Sequence, residues 1–466
     1  MTKHSLINIK TATLALIAAL IITRLLTLGL YPLYDTTEAR YGEMARIMLE
    51  TGNWITPQFD YNVPFWGKPP MQTWLSALSF SIFGINEFAA RLPHFLCGML
   101  TLWLTYRFAR EQASKSHAVY ASLILTSSLG FIIASGMVMT DAALLMATTL
   151  AMVSFWHNYQ QQSRLYGHLF FVALALGLLI KGPVAVVLIG IALVTWSLWQ
   201  RCFINAITSL PWLTGIPLML LIALPWYIAA EISSPGFLEY FIVGEHIQRF
   251  LVSGWQGDLY GTAHVETKGT IWLFWLATAF PWSFVLLALV FRRQLPIKQS
   301  QAKAPLNKFL ICWMLAPMLL FTMAGNILPA YVLPGFAAMA VLIAINSQLT
   351  KRSLIYSVIT LVILVTVVVV FSFDLSKKDS EVNLLSNKLN NTAPLYYWKK
   401  RPFSAQFYSQ GKAKLIEDST QLAELLQQSQ PILLAISHSD YEKIALDLID
   451  CQSINRSKSR VLLRCH

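Results

Sequence analysis

Eleven apolar runs follow one another along the chain and constrain its fold more than any other feature. They span residues 13–33, 92–106, 118–134, 142–156, 169–180, 184–198, 211–230, 271–291, 309–323, 330–345 and 354–373. Several are about 16–22 residues long, roughly the length that an α-helix needs to cross a bilayer. Charged residues make up only 12% of the chain, against about a quarter in a soluble domain. The sequence therefore predicts a mostly α-helical, polytopic membrane protein with about eleven transmembrane helices.

The net charge of +12 would fit a nucleic-acid-binding protein, but the positions of the basic residues explain it differently. Lysine and arginine collect in every second loop between the apolar runs, as the positive-inside rule predicts for cytoplasmic loops. This alternation places the N-terminus in the cytoplasm and puts residues 34–90, 231–268 and 374–466 on the opposite side. We therefore expect a multi-pass membrane domain over residues 1–373 and no nucleic-acid partner.

The composition becomes polar after residue 373. Short β-like runs at 431–436 and 460–463 alternate there with helical patterns at 419–428 and 439–449. This alternation predicts a small soluble α/β domain over residues 374–466. Cys451 and Cys465 both fall in it, and the sequence leaves open whether they form a disulfide in an oxidising compartment. We expect this domain to stabilise the membrane part or to cover the acceptor side of a site.

The first outer loop, residues 34–90, contains two patterns typical of helices that lie at a membrane surface. Residues 37–50 carry apolar side chains at helical spacing with charged residues between them, which predicts an amphipathic helix lying flat in the interface. Residues 71–83 are apolar but too short to cross a bilayer, so they predict a second interfacial helix.

Three acidic residues near the outer ends of apolar runs are candidate catalytic groups. Asp35 follows the first run, Glu38 lies one helical turn further on, and Asp141 opens the fourth run. A carboxylate at the membrane–water boundary can accept a proton from an acceptor hydroxyl. The alternative is structural, because acidic residues also cap helices and are favoured near helix N-termini.

Basic residues on the same side are candidates for binding a phosphate. Lys68 stands in "NVPFWGKPP", where prolines on both sides restrict the backbone and aromatic residues lie close by in sequence. Arg249 and Lys181 are further candidates. For Lys68 the alternative is an ordinary interfacial anchor, and for the other two it is a structural ion pair.

A metal site is only weakly indicated. Glu245, His246 and His264 lie in the second outer loop together with Asp258, but their spacing fits no standard metal motif. No phosphate-binding loop or dinucleotide fingerprint occurs in the chain either, which argues against a soluble nucleotide as substrate.

Two stretches, "DTTEARYGEMARIMLETGNWITP" and "KPPMQTWLSALSFSIFGINEFAARLP", resemble the GT-C glycosyltransferases of the protein O-mannosyltransferase and 4-amino-4-deoxy-L-arabinose (lipid A) transferase group. The resemblance continues more weakly through "MTDAAL", "LLIKGP", "EHIQRF", "AFPWS" and "LPAYVLP". It implies that a sugar moves from a polyprenyl-phosphate donor to an acceptor on the non-cytoplasmic face. It also implies that Lys68 binds the donor phosphate and that Asp141 is a supporting acid, with Arg40 and Tyr41 as further candidates around the phosphate.

The sequence departs from the pattern of this group at three positions. Thr37 stands where relatives often have aspartate, so either Asp35 or Glu38 is expected to act as the base. Gly67 replaces a glutamate that helps to bind a metal in relatives, so a divalent metal is left open as a cofactor. Asn326 replaces a lysine, which removes one cation from the phosphate site.

These observations predict a glycosyltransferase of the bacterial inner membrane with its site on the periplasmic side. The expected donor is an undecaprenyl-phosphate sugar, and the acceptor is lipid A, another glycan or a protein. The alternative is a non-catalytic transporter or envelope scaffold that binds the same lipid-linked glycan. A transporter should carry polar residues along a path through the membrane, and these runs are nearly uncharged apart from Arg24.

Overall fold

The computed structural model describes residues 3–261, 264–297, 303–373, 375, 380–385, 393–427, 430–444 and 451–465. Helices dominate its first part, up to residue 373. The α-helices there are Lys3–Leu26, Thr37–Thr51, Met71–Phe83, Glu87–Gln112, Lys115–Thr126, Leu129–Ala134, Thr140–Gln161, Arg164–Lys181, Pro183–Gln200, Phe203–Thr208, Trp212–Ser233, Phe237–Glu239, Arg249–Leu251, Thr270–Thr278, Trp282–Phe291, Ala304–Phe321, Phe336–Asn346 and Lys351–Ser372. A π-helix, Tyr240–Gln248, and a 3₁₀-helix, Pro329–Gly335, complete this part.

Among the described residues, seven helices are long and apolar enough to cross a membrane. An eighth span results if the bent pair Thr270–Thr278 and Trp282–Phe291 counts as one. The seven are Ile9–Leu26, Arg164–Lys181, Pro183–Gln200, Trp212–Ser233, Ala304–Phe321, Pro329–Asn346 and Lys351–Ser372. The protein is thus a multi-pass membrane protein, although the predicted count of eleven spans is not confirmed.

Every predicted run overlaps a helix, but several of these helices are interrupted or polar. The run at 118–134 is broken at Ser127 and Ser128, whose hydroxyls donate to the backbone carbonyls four residues before them. The run at 271–291 bends by 112° near Pro281, a residue that cannot donate a helical hydrogen bond. Helix Glu87–Gln112 carries the fully buried Arg91.

The first outer loop folds into the two predicted helices, Thr37–Thr51 and Met71–Phe83, with a short hairpin between them. The hairpin pairs strand β1, Gln58–Asp60, with strand β2, Val63–Pro64. Protein covers most of helix Thr37–Thr51, including the charged residues Glu38, Glu43 and Arg46, whereas the Glu50 side chain stays about half exposed.

The C-terminal part forms a small domain around a five-stranded mixed sheet, which confirms a sheet-containing domain after the membrane region. The strand order is β4-β3-β5-β7-β6. The strands are β3, Leu395–Trp398; β4, Ala413–Ile416; β5, Ile432–Ser437; β6, Cys451–Arg456; and β7, Arg460–Cys465. The helices are Val382–Leu385, Phe403–Ser409, Ser419–Leu426 and His438–Ile444. Parts of two predicted helices, residue 428 and residues 445–449, lie outside the described residues.

Cys451 and Cys465 form a disulfide that joins β6 to β7, and this answers the question that the sequence left open. The two cysteines are directly paired in the antiparallel register of these strands. The bridge therefore closes the open end of the hairpin that connects them.

The sheet domain rests on the first outer loop through helix Phe403–Ser409. Phe407 is buried in a cluster with residues of helix Thr37–Thr51. The Tyr408 hydroxyl accepts a hydrogen bond from the backbone of Leu33 at 2.7 Å and donates to Glu87 at 2.9 Å. These contacts hold the sheet domain against helix Thr37–Thr51, Leu33 and the start of helix Glu87–Gln112.

Candidate functional site

A cavity of about 270 Å³ lies where both outer loops, the outer ends of the membrane helices and the sheet domain meet. Its wall contains most of the candidate site residues that the sequence singled out. These are Arg40, Tyr41, Lys68, Asp141, Lys181, Glu245, Arg249 and His264. Asp35, Glu38 and His246 are not in the wall.

Lys68 lies in the cavity wall and is held in place by short polar contacts. Its Nζ donates to the carbonyl oxygen of Gly67 at 2.5 Å and to Glu245 Oε2 at 3.1 Å. Burial alone would lower the pKa of the Lys68 ammonium, but Glu245 raises it above the ordinary value. The lysine is therefore a fixed cation at neutral pH and does not swing freely at the membrane surface.

Glu245 is shared by two cations. Nη1 of Arg249 lies 3.0 Å from both carboxylate oxygens of Glu245, and it also lies 3.3 Å from Asp258. Burial would raise the pKa of Glu245, but Lys68 and Arg249 bring it below its ordinary value. Glu245 belongs to the π-helix Tyr240–Gln248, and such segments are frequent at functional sites. Lys68 and Arg249 thus stand side by side across one carboxylate.

Asp141 pairs with Lys181 on another part of the wall. Lys181 Nζ donates to Asp141 Oδ1 at 2.6 Å, and the ammonium lies 4.5 Å from the centre of the Tyr331 ring. Both side chains are less than a tenth exposed. Asp141 therefore does more than favour a helix N-terminus, because its carboxylate faces a cavity and holds a buried cation.

Arg40 has no carboxylate partner within 4.0 Å among the residues that the structure describes. Its Nη1 donates to the backbone carbonyl of Tyr260 at 2.8 Å. Its guanidinium carbon lies 5.2 Å from the ring centre of Tyr41 and 5.9 Å from that of Phe65. Backbone and aromatic faces thus hold this cation.

Asp35 and Glu38 point away from the cavity. Asp35 accepts hydrogen bonds from the backbone and the hydroxyl of Ser404 in the sheet domain. Burial raises the pKa of Asp35, and the hydrogen bonds from Ser404 offset only part of that rise. Glu38 forms a buried pair with Arg91, with Nη2 of the arginine 2.8 Å from Oε2 of the glutamate. Both contacts connect parts of the fold, so the placement favours structural roles for these acids.

The candidate metal ligands are dispersed. Both ring nitrogens of His246 lie near backbone carbonyls, Phe241 at 2.7 Å and Lys181 at 3.3 Å. Glu245 is occupied by its two cations, and His264 lies elsewhere in the chain's second outer loop, in the same cavity wall. In the described part of the chain, no three His, Cys, Asp or Glu side chains gather as a metal site requires. A side chain at Gly67 would meet the Phe65 ring, since a Cβ there lies 2.8 Å from Cζ.

The cavity also contains residues that the sequence reasoning did not select. Tyr331 stands in "LPAYVLP", one of the stretches that carry the family resemblance. It was not selected as a candidate because the phosphate-binding candidates were chosen mainly for their positive charge. Phe403 comes from the sheet domain and had no signal in the sequence. Asn326 lies beside the site, where its amide donates to the carbonyls of Arg249 at 2.7 Å and Val252 at 3.0 Å. It therefore supports the segment that carries Arg249.

Curated relatives match the chain over about 330–340 residues. One is the undecaprenyl phosphate-alpha-4-amino-4-deoxy-L-arabinose arabinosyl transferase of Erwinia tasmaniensis, 32% identical over 69% of this chain. The transferase of the same name from Pseudomonas savastanoi pv. phaseolicola is 29% identical over 71% of this chain. The matches cover only 56% and 60% of those two relatives, so the chain spans little more than half of their length.

Solved structures show the same fold. ArnT from Cupriavidus metallidurans, crystallised with undecaprenyl phosphate, superposes with a TM-score of 0.79 at 18% identity and 97% coverage of both chains. The archaeal oligosaccharyltransferase AglB from Archaeoglobus fulgidus gives 0.51 at 11% identity, over 92% of this chain and 70% of that one. The predicted GT-C-like architecture is thereby confirmed. The family model described as dolichyl-phosphate-mannose-protein mannosyltransferase matches residues 8–241, and the chain belongs to this family.

Proposed function

We propose that this protein is a glycosyltransferase that moves a sugar from an undecaprenyl-phosphate donor to an acceptor at the periplasmic face of the bacterial inner membrane. The observation that carries the proposal is the pair Lys68 and Arg249, two fixed cations across the single carboxylate of Glu245. A phosphate between them would receive charge-assisted hydrogen bonds from both. Membrane domain 1–373 would carry the chemistry, with domain 374–466 on the periplasmic side.

The cations would act on the leaving group. When the acceptor oxygen attacks C1 of the sugar, the bond from C1 to the phosphate oxygen breaks and its electron pair remains on the lipid phosphate. Fixed positive charges stabilise that developing charge at no cost of reorganisation. Attack from the face opposite the phosphate would invert the configuration at C1.

Asp141 is the best-placed of the three candidate acids to receive the acceptor's proton. It is the only one of Asp35, Glu38 and Asp141 that lines the cavity. Lys181, at 2.6 Å, keeps its carboxylate oriented. The acceptor is lipid A, another glycan or a protein, and the names of the curated relatives favour an aminopentose as the sugar.

The rival, a non-catalytic transporter or scaffold, would use the same cations for binding but would have no need of Asp141. Mass spectrometry of undecaprenyl-phosphate sugars, lipid A and surface glycans, with and without the gene, tests the proposal first. If the protein is a transferase, cells without the gene are expected to accumulate one lipid-linked sugar, and one of their envelope glycans should be lighter by the mass of that sugar. If all pools stay unchanged, the proposal fails.

Variants then separate binding from chemistry. We expect Lys68→Gln to weaken binding of undecaprenyl phosphate, and Asp141→Asn to keep that binding while transfer falls by about 100-fold or more. Lys268→Gln is the matched control, because this lysine is exposed in the same outer loop as Arg249 and lies outside the cavity. Full transfer by Asp141→Asn would remove this acid from the mechanism.

A further inference from the structure

A second cavity, of about 360 Å³, lies between membrane helices and shares no residue with the charged cavity around Lys68. Helices Pro183–Gln200 and Trp212–Ser233 both pack on helix Arg164–Lys181 but make few close approaches to each other. The space between them is an apolar groove, and the short helix Phe203–Thr208 lines one end of it. Its volume falls within the range of about 300–1,000 Å³ that is typical of ligand sites.

The apolar groove reaches the end of these helices that lies opposite the charged cavity. Lys181, the last residue of one of the three helices, lines the charged cavity, whereas Arg164 is the first residue of the same helix. At a rise of 1.5 Å per residue the two are about 26 Å apart. Along the second helix the wall runs from Val186 to Ser197, roughly 16 Å. That length is close to half of the hydrocarbon core of a bilayer, which is about 30 Å thick, so the groove matches the depth of one leaflet.

The wall of the apolar groove is suited to a hydrocarbon chain. Val194, Phe203 and Trp212 are 38–44% exposed, so the groove is open to the lipid beside it. A Cβ added at Gly190 would meet no atom within 4 Å, which leaves the middle of the groove empty. The hydroxyl of Ser197 donates to the backbone carbonyl of Val194 at 3.0 Å and is therefore not offered to a ligand.

Two cations stand at the end of the apolar groove. Arg164 begins one of its helices and Arg201 directly follows another, and both side chains are exposed. Neither has an acidic partner within 4.0 Å in the part of the chain that the structure describes. The sequence contains no Asp or Glu between Asp141 and Glu231. Positive charge without local neutralisation thus lies where the headgroup of a lipid would be, on the side that the positive-inside rule assigns to the cytoplasm.

We propose that the apolar groove binds one anionic glycerophospholipid of the cytoplasmic leaflet, with an acyl chain between the helices and its phosphate at Arg164 and Arg201. The polyprenyl tail of the donor is not the expected occupant, because the phosphate proposed for the donor lies at the opposite end of the same helices, beside Lys68 and Arg249. The bound chain would fill the gap between two helices that pack on the helix ending at Lys181. This site is independent of the proposed transferase activity.

Native mass spectrometry of the purified 466-residue chain in detergent tests the site. The probes are phosphatidylglycerol, which is anionic, and phosphatidylethanolamine, which has no net charge, with identical acyl chains. We expect the wild type to bind one phosphatidylglycerol about 10-fold more tightly than phosphatidylethanolamine. The double variant Arg164→Gln with Arg201→Gln should bind the two lipids equally.

A second variant tests the apolar groove itself. Gly190→Leu should weaken binding of both lipids by about 10-fold or more, because the leucine side chain occupies the space that the acyl chain needs. Leucine also favours a helix more than glycine does, so the Tm of this variant without lipid should not fall. Val365→Leu is the control, because it adds bulk at an exposed position of helix Lys351–Ser372, outside the groove, and should leave lipid binding unchanged.

Three results would overturn the inference. A wild type that binds both phospholipids equally excludes an anionic lipid, and this comparison requires no variant to fold. If Gly190→Leu binds phosphatidylglycerol as tightly as the wild type does, the lipid lies elsewhere on the protein. If undecaprenyl phosphate displaces phosphatidylglycerol from the wild type and Gly190→Leu loses both, the groove belongs to the donor's tail. None of these measurements depends on sugar transfer, so their failure leaves the transferase proposal standing.

Discussion

Replacing Glu38 by glutamine tests whether this carboxylate is a structural partner of Arg91 or the base of the reaction. The Arg91 side chain is 0% exposed and also donates to the backbone carbonyls of Leu28, Tyr31 and Pro32 at 2.7–2.9 Å. It thereby fastens the end of the first membrane helix to the first outer loop. Removing one partner of such a buried pair leaves the other charge uncompensated, at a cost of about 3–5 kcal/mol.

We expect Glu38→Gln to lower the apparent Tm in detergent by about 5 °C or more. Transfer activity per folded molecule should stay close to that of the wild type, because the carboxylate does not face the cavity. The double variant Glu38→Gln with Arg91→Gln should lose less stability than the sum of the two single variants, since the charges are removed together. Glu266→Gln, at an exposed position in the second outer loop, is the control and should leave the Tm unchanged.

The pH dependence of stability gives an independent check on the structural role of Glu38. Burial would raise the pKa of Glu38, but Arg91 brings it below its ordinary value of 4.5. A carboxylate with a lowered pKa contributes stability above its unfolded pKa, and that contribution is lost as the pH falls through the folded value. If Glu38→Gln kept the wild-type Tm and lost all transfer activity, the structural role of Glu38 would be refuted, because that result is expected of a catalytic base.

Two further predictions concern the surroundings of the site. Burial lowers the pKa of His246 below its ordinary value of 6.5, so the unfolded chain binds a proton at this side chain more readily than the folded chain does. The stability of the fold should therefore fall as the pH drops below about 6.5. The variant His246→Gln should flatten that part of a curve of Tm against pH. Reducing the Cys451–Cys465 disulfide, which links residues 14 apart, should destabilise the sheet domain by about 3 kcal/mol. Limited proteolysis with and without reductant measures this loss, and equal resistance in both would show that the bridge contributes nothing.

Local sequence patterns were enough to predict much of the fold. The apolar runs predicted the helices, and the spacing of residues 71–83 matches helix Met71–Phe83 at both ends. The predicted count of eleven spans is not confirmed, because among the described residues only seven or eight helices are both long and apolar enough to cross a membrane. Ser127 and Ser128 interrupt one run by bonding to its own backbone, and the helix Glu87–Gln112 that contains another run also carries the buried Arg91.

The pairing of the site residues could not be predicted in the same way. The Lys68 side chain finds its carboxylate 177 positions away in Glu245, and Asp35 meets Ser404 at a separation of 369. Such contacts depend on the tertiary arrangement, so a single sequence shows which residues are charged but not which ones neutralise each other. For this reason the sequence ranked Asp35 beside Asp141, whereas only Asp141 lines the cavity.

The docking of the sheet domain also has a consequence for biosynthesis. Phe403 completes the wall of a cavity that begins with Thr36, so the two borders of the site are translated hundreds of residues apart. A nascent chain with every membrane helix inserted would still lack this part of the wall until the sheet domain has folded. The wall of the cavity is therefore complete only after the last part of the chain has been made and has folded against the rest.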